Sequence, residues 1–445
     1  MNESKEKKRL TETQRAIIRW TVYWFVVLII YLALSLIFGN FAVYWLLPAL
    51  AAVNFVVRIL FNLPFRFKNP KARLITRICM SVLSLTLTAI LCVYIVSNGT
   101  DYNNRYIASL DYSGLSPRSS FTYDRETGVY TVKAESDELR ILQLTDVHLC
   151  AGITTIGTDR KALDACYAVI KEARPDLIIV TGDIVYPIPI QTFNTNNLKP
   201  VYQFCTFMNN FGIPWAMVYG NHDTETFADY GAQELSGIFR YFKDDPACPM
   251  LYAEKQPDIY GRYNQYLRIE NADGTLNRLI FLIDSNDYVG GSAEINDYDS
   301  VHTDQLAWYV KTIDEVSAEE GRRVPSFVYM HIPFKEFAEA CDALARGEDS
   351  AEYLLGENGE NVSHPAKDSG FFKLILEKKS TQAVFVGHDH LNNLGVKYRG
   401  VDLVYGKSID YIAYPKIAKQ TVQRGGTLVT LSSNGYEITH IDYNV

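Results

Sequence analysis

Five short polar strings hold the residues best able to do chemistry in this chain. They are Asp146-Val147-His148, Gly182-Asp183, Gly220-Asn221-His222-Asp223, a single His331, and Gly387-His388-Asp389-His390. Carboxylate, amide oxygen and imidazole are donors to Mn, Fe, Zn or Co, and a histidine beside an acid is equipped for proton transfer. Singly, each string is weak: Asp after an apolar run usually caps a helix or closes a turn, and GNHD or GHDH is only suggestive. Jointly they carry weight. Of eight histidines in the chain, His148, His222, His331, His388 and His390 all fall in these strings, which chance placement of a rare residue does not produce.

Each string follows a short apolar run. LRILQLT (139–145), LIIVT (177–181), WAMVY (215–219), FVYM (327–330) and AVFV (383–386) read as buried strands, as does 279–283. Residues 159–173, 200–211 and 303–318 have helical spacing, with Thr303 and Asp304 as a helix start. Alternating strands and helices predict a layered α/β domain, in which ligands bind at the carboxyl ends of strands. All five strings would then converge on one rim. Before them, FTYDRE and VYTVKAE alternate around Thr127-Gly128 as a hairpin, and short late strands at 396–405, 426–431 and 436–441 suggest a second sheet packed on the first.

On these strings, in this order, the sequence resembles the calcineurin-like metallophosphoesterase superfamily, whose pattern DxH, GD, GNH[DE], a lone His and GHxH is met in full over about residues 139–405. LRILQLTDVHL, RPDLIIVTGDIV, FLIDSNDY, FVYMHIPF, DSGFF and AVFVGHDHLNN are similar to its purple-acid-phosphatase-like branch. The resemblance implies two packed mixed β-sheets flanked by helices over residues 119–445, and two divalent or trivalent metal ions. Asp146, His148, Asp183 and His390 would hold the first ion; Asp183, Asn221, His331 and His388 would hold the second, with Asp183 bridging. It also implies hydrolysis of phosphate mono- or diesters by a hydroxide bridging the metals, without a covalent protein intermediate. His222 would stabilise the phosphoryl oxygens or act as general acid, with Asp223 orienting it. Tyr186 stands where true purple acid phosphatases bear an iron-binding tyrosinate, but those enzymes have Gly at the position of His148. With His148 available, Tyr186 is expected to pack beside the metals.

Other polar residues are less telling. Asp284 and Asn286 end a strand and either reach the rim or make a turn. His364 lies in a Glu-, Asn- and Gly-rich insertion, a substrate loop or plain surface, and His302 and His440 look ordinary. Seven cysteines without a CxxC pair read as buried thiols rather than as a disulfide or zinc framework. Asn98-Gly99-Thr100 is a glycosylation sequon, meaningful only in a eukaryote.

Charge and hydropathy split the chain. Residues 1–77 hold 12 Lys and Arg against 3 acids, out of 43 basic and 51 acidic residues, leaving 31 against 48 beyond. A domain that acidic repels polyphosphate backbones, so no nucleic-acid partner is expected. Three stretches, 20–38, 39–57 and 78–97, are free of charge but for their flanks and long enough to span about 30 Å of hydrocarbon at 1.5 Å per residue. The expected organisation is a basic cytoplasmic tail (1–15), a membrane anchor of about three transmembrane helices (16–97), a polar linker (98–118) and the phosphoesterase domain. Lys and Arg before the first span and between the second and third put those segments in the cytoplasm and the catalytic domain outside it. Pro48 sits in the second stretch; were that stretch re-entrant, the domain would face the cytoplasm. An integral protein of the cell membrane would meet lipid-linked or envelope-derived phosphate esters at raised local concentration. Two other functions fit the sequence: a nuclease of the same superfamily, disfavoured by the charge, and a metal-free, non-catalytic scaffold or sensor at the membrane using the fold only for binding.

Overall fold

The computed structural model describes residues 69–99 and 102–443 apart from 246–247, 292–296 and 415–423, together with scattered helical residues between 14 and 29. Two compact units emerge, Met1–Tyr102 and Asn103–Val445. The first contains the 30-residue helix Pro70–Gly99, with Lys71, Arg73 and Arg77 in its opening turns. Among the described residues no helix is long and apolar enough to cross a membrane. The anchor expected over 16–97 therefore draws no support from the structure, and the basic tail and the first two spans lie largely outside the described residues. The stretch 98–118, read as irregular, contains the helix Tyr102–Ser109. Buried Asn103 holds that helix in place, its side-chain amide donating to Asp159 at 2.9 Å and to Gln203 at 3.1 Å. Partners so distant in sequence leave no local pattern.

Among the described residues, fourteen strands build the second unit: β1 (Ser119–Asp124), β2 (Val129–Ala134), β3 (Glu138–Leu144), β4 (Leu177–Thr181), β5 (Trp215–Val218), β6 (Gln265–Glu270), β7 (Leu276–Leu282), β8 (Ser326–Tyr329), β9 (Ala351–Leu355), β10 (Thr381–Val386), β11 (Gly395–Tyr398), β12 (Val401–Tyr405), β13 (Gly425–Ser432) and β14 (Gly435–Asp442). They form a nine-stranded sheet, ordered β1-β2-β6-β7-β8-β10-β12-β11-β9, and a five-stranded sheet, ordered β14-β13-β3-β4-β5. The expected hairpin is β1–β2, antiparallel from Ser119↔Ala134 to Asp124↔Val129. The late strands depart from expectation. They make no sheet of their own: β12 pairs in parallel with β10, and β13 pairs antiparallel with β3. Each closes an edge that the βα units would have left open.

Period-two alternation explains why both faces of the strands are apolar. Leu139 and Ile141 of β3 and Leu177 and Ile179 of β4 meet Leu267, Ile280, Phe327 and Phe385 between the sheets. Leu142, Leu144, Ile178 and Val180 point the other way, onto Val169 and Ile170 of the helix Ile156–Ala173 and Phe204 and Phe207 of the helix Leu198–Asn209. On the far side, Phe281, Val328 and Val384 pack on Tyr309 and Ile313 of the helix Thr303–Glu319 and Phe372 and Ile375 of the helix Phe371–Lys378. The result is four layers, helix–sheet–sheet–helix. Each fully buried large apolar side chain contributes about 1.5–3 kcal/mol, so strand positions are firmly fixed and the strand ends rigidly placed.

Candidate metal centre

β3, β4 and β5 of one sheet and β8 and β10 of the other run parallel within their sheets, and the polar strings follow their carboxyl ends. The two sheets are joined at this rim. Gln143 donates to Thr181 Oγ1 at 2.9 Å in its own sheet and to the Val386 carbonyl at 3.0 Å in the other, and Thr145 bridges to Ser408 beyond β12. Two glycines of the motifs answer a simple steric demand. A Cβ on Gly220 would lie 2.1 Å from Asp183 Oδ1, and one on Gly387 would lie 2.0 Å from Thr145 Oγ1. Neighbouring strand ends approach so closely there that only hydrogen fits.

Four candidate ligands adopt left-handed backbone: Asp146 (φ 53°), His148 (φ 54°), Asp183 (φ 51°) and His388 (φ 77°). Such conformations cost about 1–3 kcal/mol each in a non-glycine residue. They are held by cross-links between the strings. Asp146 N–H donates to the Gly182 carbonyl at 3.2 Å, and His148 N–H donates to the Asp183 carbonyl at 3.0 Å.

Asp146, His148, Asp183 and His390 are all buried, and each offers a ligand atom within 4.8 Å of the other three. His390 Nε2 is 3.4 Å from Asp146 Oδ1 and 3.2 Å from His148 Nε2. His148 Nε2 lies 3.7 Å from Asp183 Oδ2. A second group meets at the same aspartate oxygen: His331 Nε2 is 3.2 Å from Asp183 Oδ2, 3.1 Å from Asn221 Oδ1 and 3.3 Å from His388 Nδ1. Asp183 is thus divided in use. Its Oδ1 accepts the His222 backbone N–H at 2.8 Å, and its Oδ2 faces histidines of both groups.

The imidazole tautomers follow from their outer contacts. His331 Nδ1–H donates to the Thr181 carbonyl at 2.8 Å, and His390 Nδ1–H donates to Asp410 Oδ2 at 3.2 Å. Each leaves an Nε2 lone pair pointing inward, as metal-binding histidines require. Electrostatics couple the same groups. Burial alone would raise the carboxyl groups of Asp146 and Asp183, but the imidazoles of His390 and His331 hold them well below the usual range. Burial opposes charge on His331 too, yet Asp183 pushes it up to about 9, whereas burial and His331 drive His388 down to about 3. Lone pairs and carboxylate oxygens crowded at 3.1–3.7 Å cannot satisfy one another by neutral hydrogen bonds. They need protons or cations between them, and this donor set fits divalent or trivalent ions.

Asp410 was not among the residues singled out by sequence. It sits five residues past the end of β12, another strand end on the same rim, but no motif flags it. Its carboxylate also accepts N–H groups of Ile412, Ala413 and Tyr414, which fixes it against His390. Asp410→Asn keeps one side-chain oxygen to accept the Ile412 and Ala413 N–H groups and removes the charge behind His390. Cation affinity is expected to fall about ten- to a hundredfold, measured by competition with a chelator.

His222 requires a correction. The sequence predicts that Asp223 orients it; in the structure Asp223 turns inward, where its carboxylate accepts the N–H groups of Asp183, Ile184, Val185 and Gly220. Four backbone donors leave it no role at the ring. Glu225 takes that place, its Oε2 2.6 Å from His222 Nδ1, with the Tyr288 hydroxyl donating to the same oxygen at 3.4 Å. Tyr288 also accepts from Asn221 Nδ2 at 3.0 Å. Burial lowers and Asp183 and Glu225 raise the basicity of His222, with a net rise.

The lesser candidates now have places. The Tyr186 ring packs edge-on against His148 at 5.2 Å and His222 at 4.9 Å, and burial pushes its hydroxyl up to about 12. Asp284 is a brace: it pairs with Arg262, whose Nη1 donates to the Gly220 carbonyl at 2.8 Å and so supports the GNHD turn. Asn286 (φ 66°) donates to the Ser300 carbonyl. His364 contacts the Pro365 carbonyl, and His302 pairs with Asp299 and stacks on Tyr260. Neither belongs to the cluster.

Comparison with known proteins adds the family. The calcineurin-like phosphoesterase model matches residues 139–392. A protein of Arabidopsis thaliana named "Probable inactive purple acid phosphatase 29" is 28% identical over 303 residues, covering 63% of this chain and 74% of its own. "Phosphatase DCR2" of Saccharomyces cerevisiae is 28% identical over 287 residues, 60% of this chain and 47% of its own length. Among solved structures, a dimetal phosphatase from Danio rerio aligns with a TM-score of 0.42 at 12% identity, covering 69% of this chain and 99% of that one.

Proposed function

Since the chain belongs to the calcineurin-like phosphoesterase family, we propose that it hydrolyses phosphate mono- or diesters with two metal ions. The observation that carries this reading is the double exposure of Asp183 Oδ2, 3.7 Å from His148 Nε2 and 3.2 Å from His331 Nε2. One ion would be held by Asp146, His148, Asp183 and His390, the other by Asp183, Asn221, His331 and His388. Two such ions supply a water acidic enough to attack at neutral pH, together with positive charge for the phosphoryl oxygens. The chain's own part is to hold the ligands still, through Thr181 and Asp410, and to handle a proton through His222. With Nδ1 engaged by Glu225, the ring has Nε2 to give a proton to the departing oxygen.

A silent, metal-binding scaffold is the second reading, favoured by the word "inactive" in the names of relatives such as the Arabidopsis protein. The test is metal analysis of the purified protein with turnover of p-nitrophenyl phosphate and bis-p-nitrophenyl phosphate. Two bound ions with turnover support the enzyme; bound ions with no turnover of either ester favour the scaffold. Attachment to a membrane, with the catalytic domain outside the cytoplasm and lipid-linked or envelope-derived esters as substrates, rests on the apolar stretches of the sequence. Protease protection in intact cells tests the orientation.

A further inference from the structure

A cleft of about 750 Å³ opens at the other end of the strands from the metal centre. Gln382, near the start of β10, lines it, whereas His388 follows the end of the same strand; the five residue steps from Gln382 to Gly387 span about 17 Å. Its walls also include the start of β7, the β13–β14 turn, and Lys397 and Asp402 of the β11–β12 hairpin.

Arg278 is the unusual group there. It is only 3% exposed, yet among the described residues no carboxylate pairs with it. Its Nε donates to Asn277 Oδ1 at 3.1 Å and its Nη1 to Gln382 Oε1 at 3.2 Å, both neutral amides. The guanidinium lies 4.0 Å over the Phe327 ring and 5.3 Å from that of Tyr436. Such contacts offset only part of what burying a lone ion costs. Burial lowers Arg278 to about 10, so it is still a cation at neutral pH. Arg322 and Lys397 add positive charge to the same walls, against Asp402 alone. Asp402 is itself incompletely used. Its Oδ2 accepts the Tyr436 hydroxyl at 2.7 Å, while its buried Oδ1 has no hydrogen-bond donor and lies 3.9 Å from Lys397 Nζ.

We propose that this cleft is a second binding site, for a small oxyanion that also carries a hydroxyl. The oxyanion pairs with Arg278 and the hydroxyl donates to Asp402 Oδ1. Hydrogen phosphate and hydroxycarboxylates share this chemistry. The site is independent of the metal centre and of the reaction proposed there.

Calorimetric titration of the full chain with inorganic phosphate and, separately, with malate tests the proposal. Asp183→Asn is titrated in parallel so that binding at the metal centre does not obscure the second event. At least one anion is expected to bind to both proteins and to bind tenfold or more weakly to Arg278→Gln. Gln382→Glu keeps Arg278 and its packing but supplies an internal carboxylate, and should weaken binding as much; it carries the test alone if Arg278→Gln does not fold. Turnover of p-nitrophenyl phosphate should stay within twofold of the parent in both cleft variants. No binding of either anion to Asp183→Asn, or equal binding to the parent and Gln382→Glu, overturns the site. The two anions, compared, tell phosphate from carboxylate recognition.

Discussion

Asp183→Asn is expected to empty the metal centre and to lower turnover on the order of a thousandfold or more. The substitution is nearly isosteric, and asparagine Oδ1 still accepts the His222 N–H that Asp183 Oδ1 takes at 2.8 Å. The fold should therefore survive. What disappears is the negative charge at the other oxygen, which faces His148 and His331 together. Two cations about 3.5–4 Å apart repel each other strongly, and a shared carboxylate is what offsets that repulsion. An amide side chain does so poorly, so both ions lose affinity even though six other ligands remain. Lewis-acid stabilisation is worth several kcal/mol, and each 1.36 kcal/mol is tenfold in rate. Metal content after dialysis and initial rates on p-nitrophenyl phosphate measure the two effects. A variant that keeps both ions would place the bridge elsewhere.

The rim was legible in the sequence because strand and ligand are adjacent there. An apolar run of four to seven residues announces a buried strand, and the polar string after it must emerge at the strand's carboxyl end. Residues acting from a distance left no such trace. Glu225 follows His222 by three positions in a loop, and nothing in His-Asp-Thr-Glu shows which acid turns toward the ring. The backbone decides, by filling Asp223 with four N–H donors. Arg262 and Asp284 form their brace across 22 residues. Sheet membership was hidden for the same reason: β8 and β10 pair in parallel, and β13 returns from the far end of the chain to β3. Such pairings depend on which edge is open once the rest has packed. The strands β6 and β9 and the helices Ala232–Lys243, Glu336–Arg346 and Phe371–Lys378 were not anticipated, being short elements whose apolar faces are completed by distant neighbours.

His222→Ala separates proton transfer from metal binding. His222 is the one imidazole of the five strings assigned to neither ion, and its ring is still 22% exposed although its partner Glu225 is buried. Removal should leave two bound ions and lower turnover by about 10²–10⁴ on an alkyl phosphate, the range that general acids supply. On p-nitrophenyl phosphate the loss should be far smaller, because p-nitrophenolate departs without a proton. Glu225→Gln should reproduce the same leaving-group dependence more weakly, since it keeps a hydrogen-bond partner at Nδ1 while removing the charge that stabilises the protonated ring. The ratio of the two substrates is the decisive quantity. An equal loss on both esters would mean that His222 holds the phosphoryl oxygens in place, and full activity of His222→Ala on the alkyl ester would take it out of the reaction altogether. Asp223→Asn offers the contrast. It should injure folding through the four N–H groups that Asp223 accepts, and any soluble fraction should show the parent's preference between the two esters.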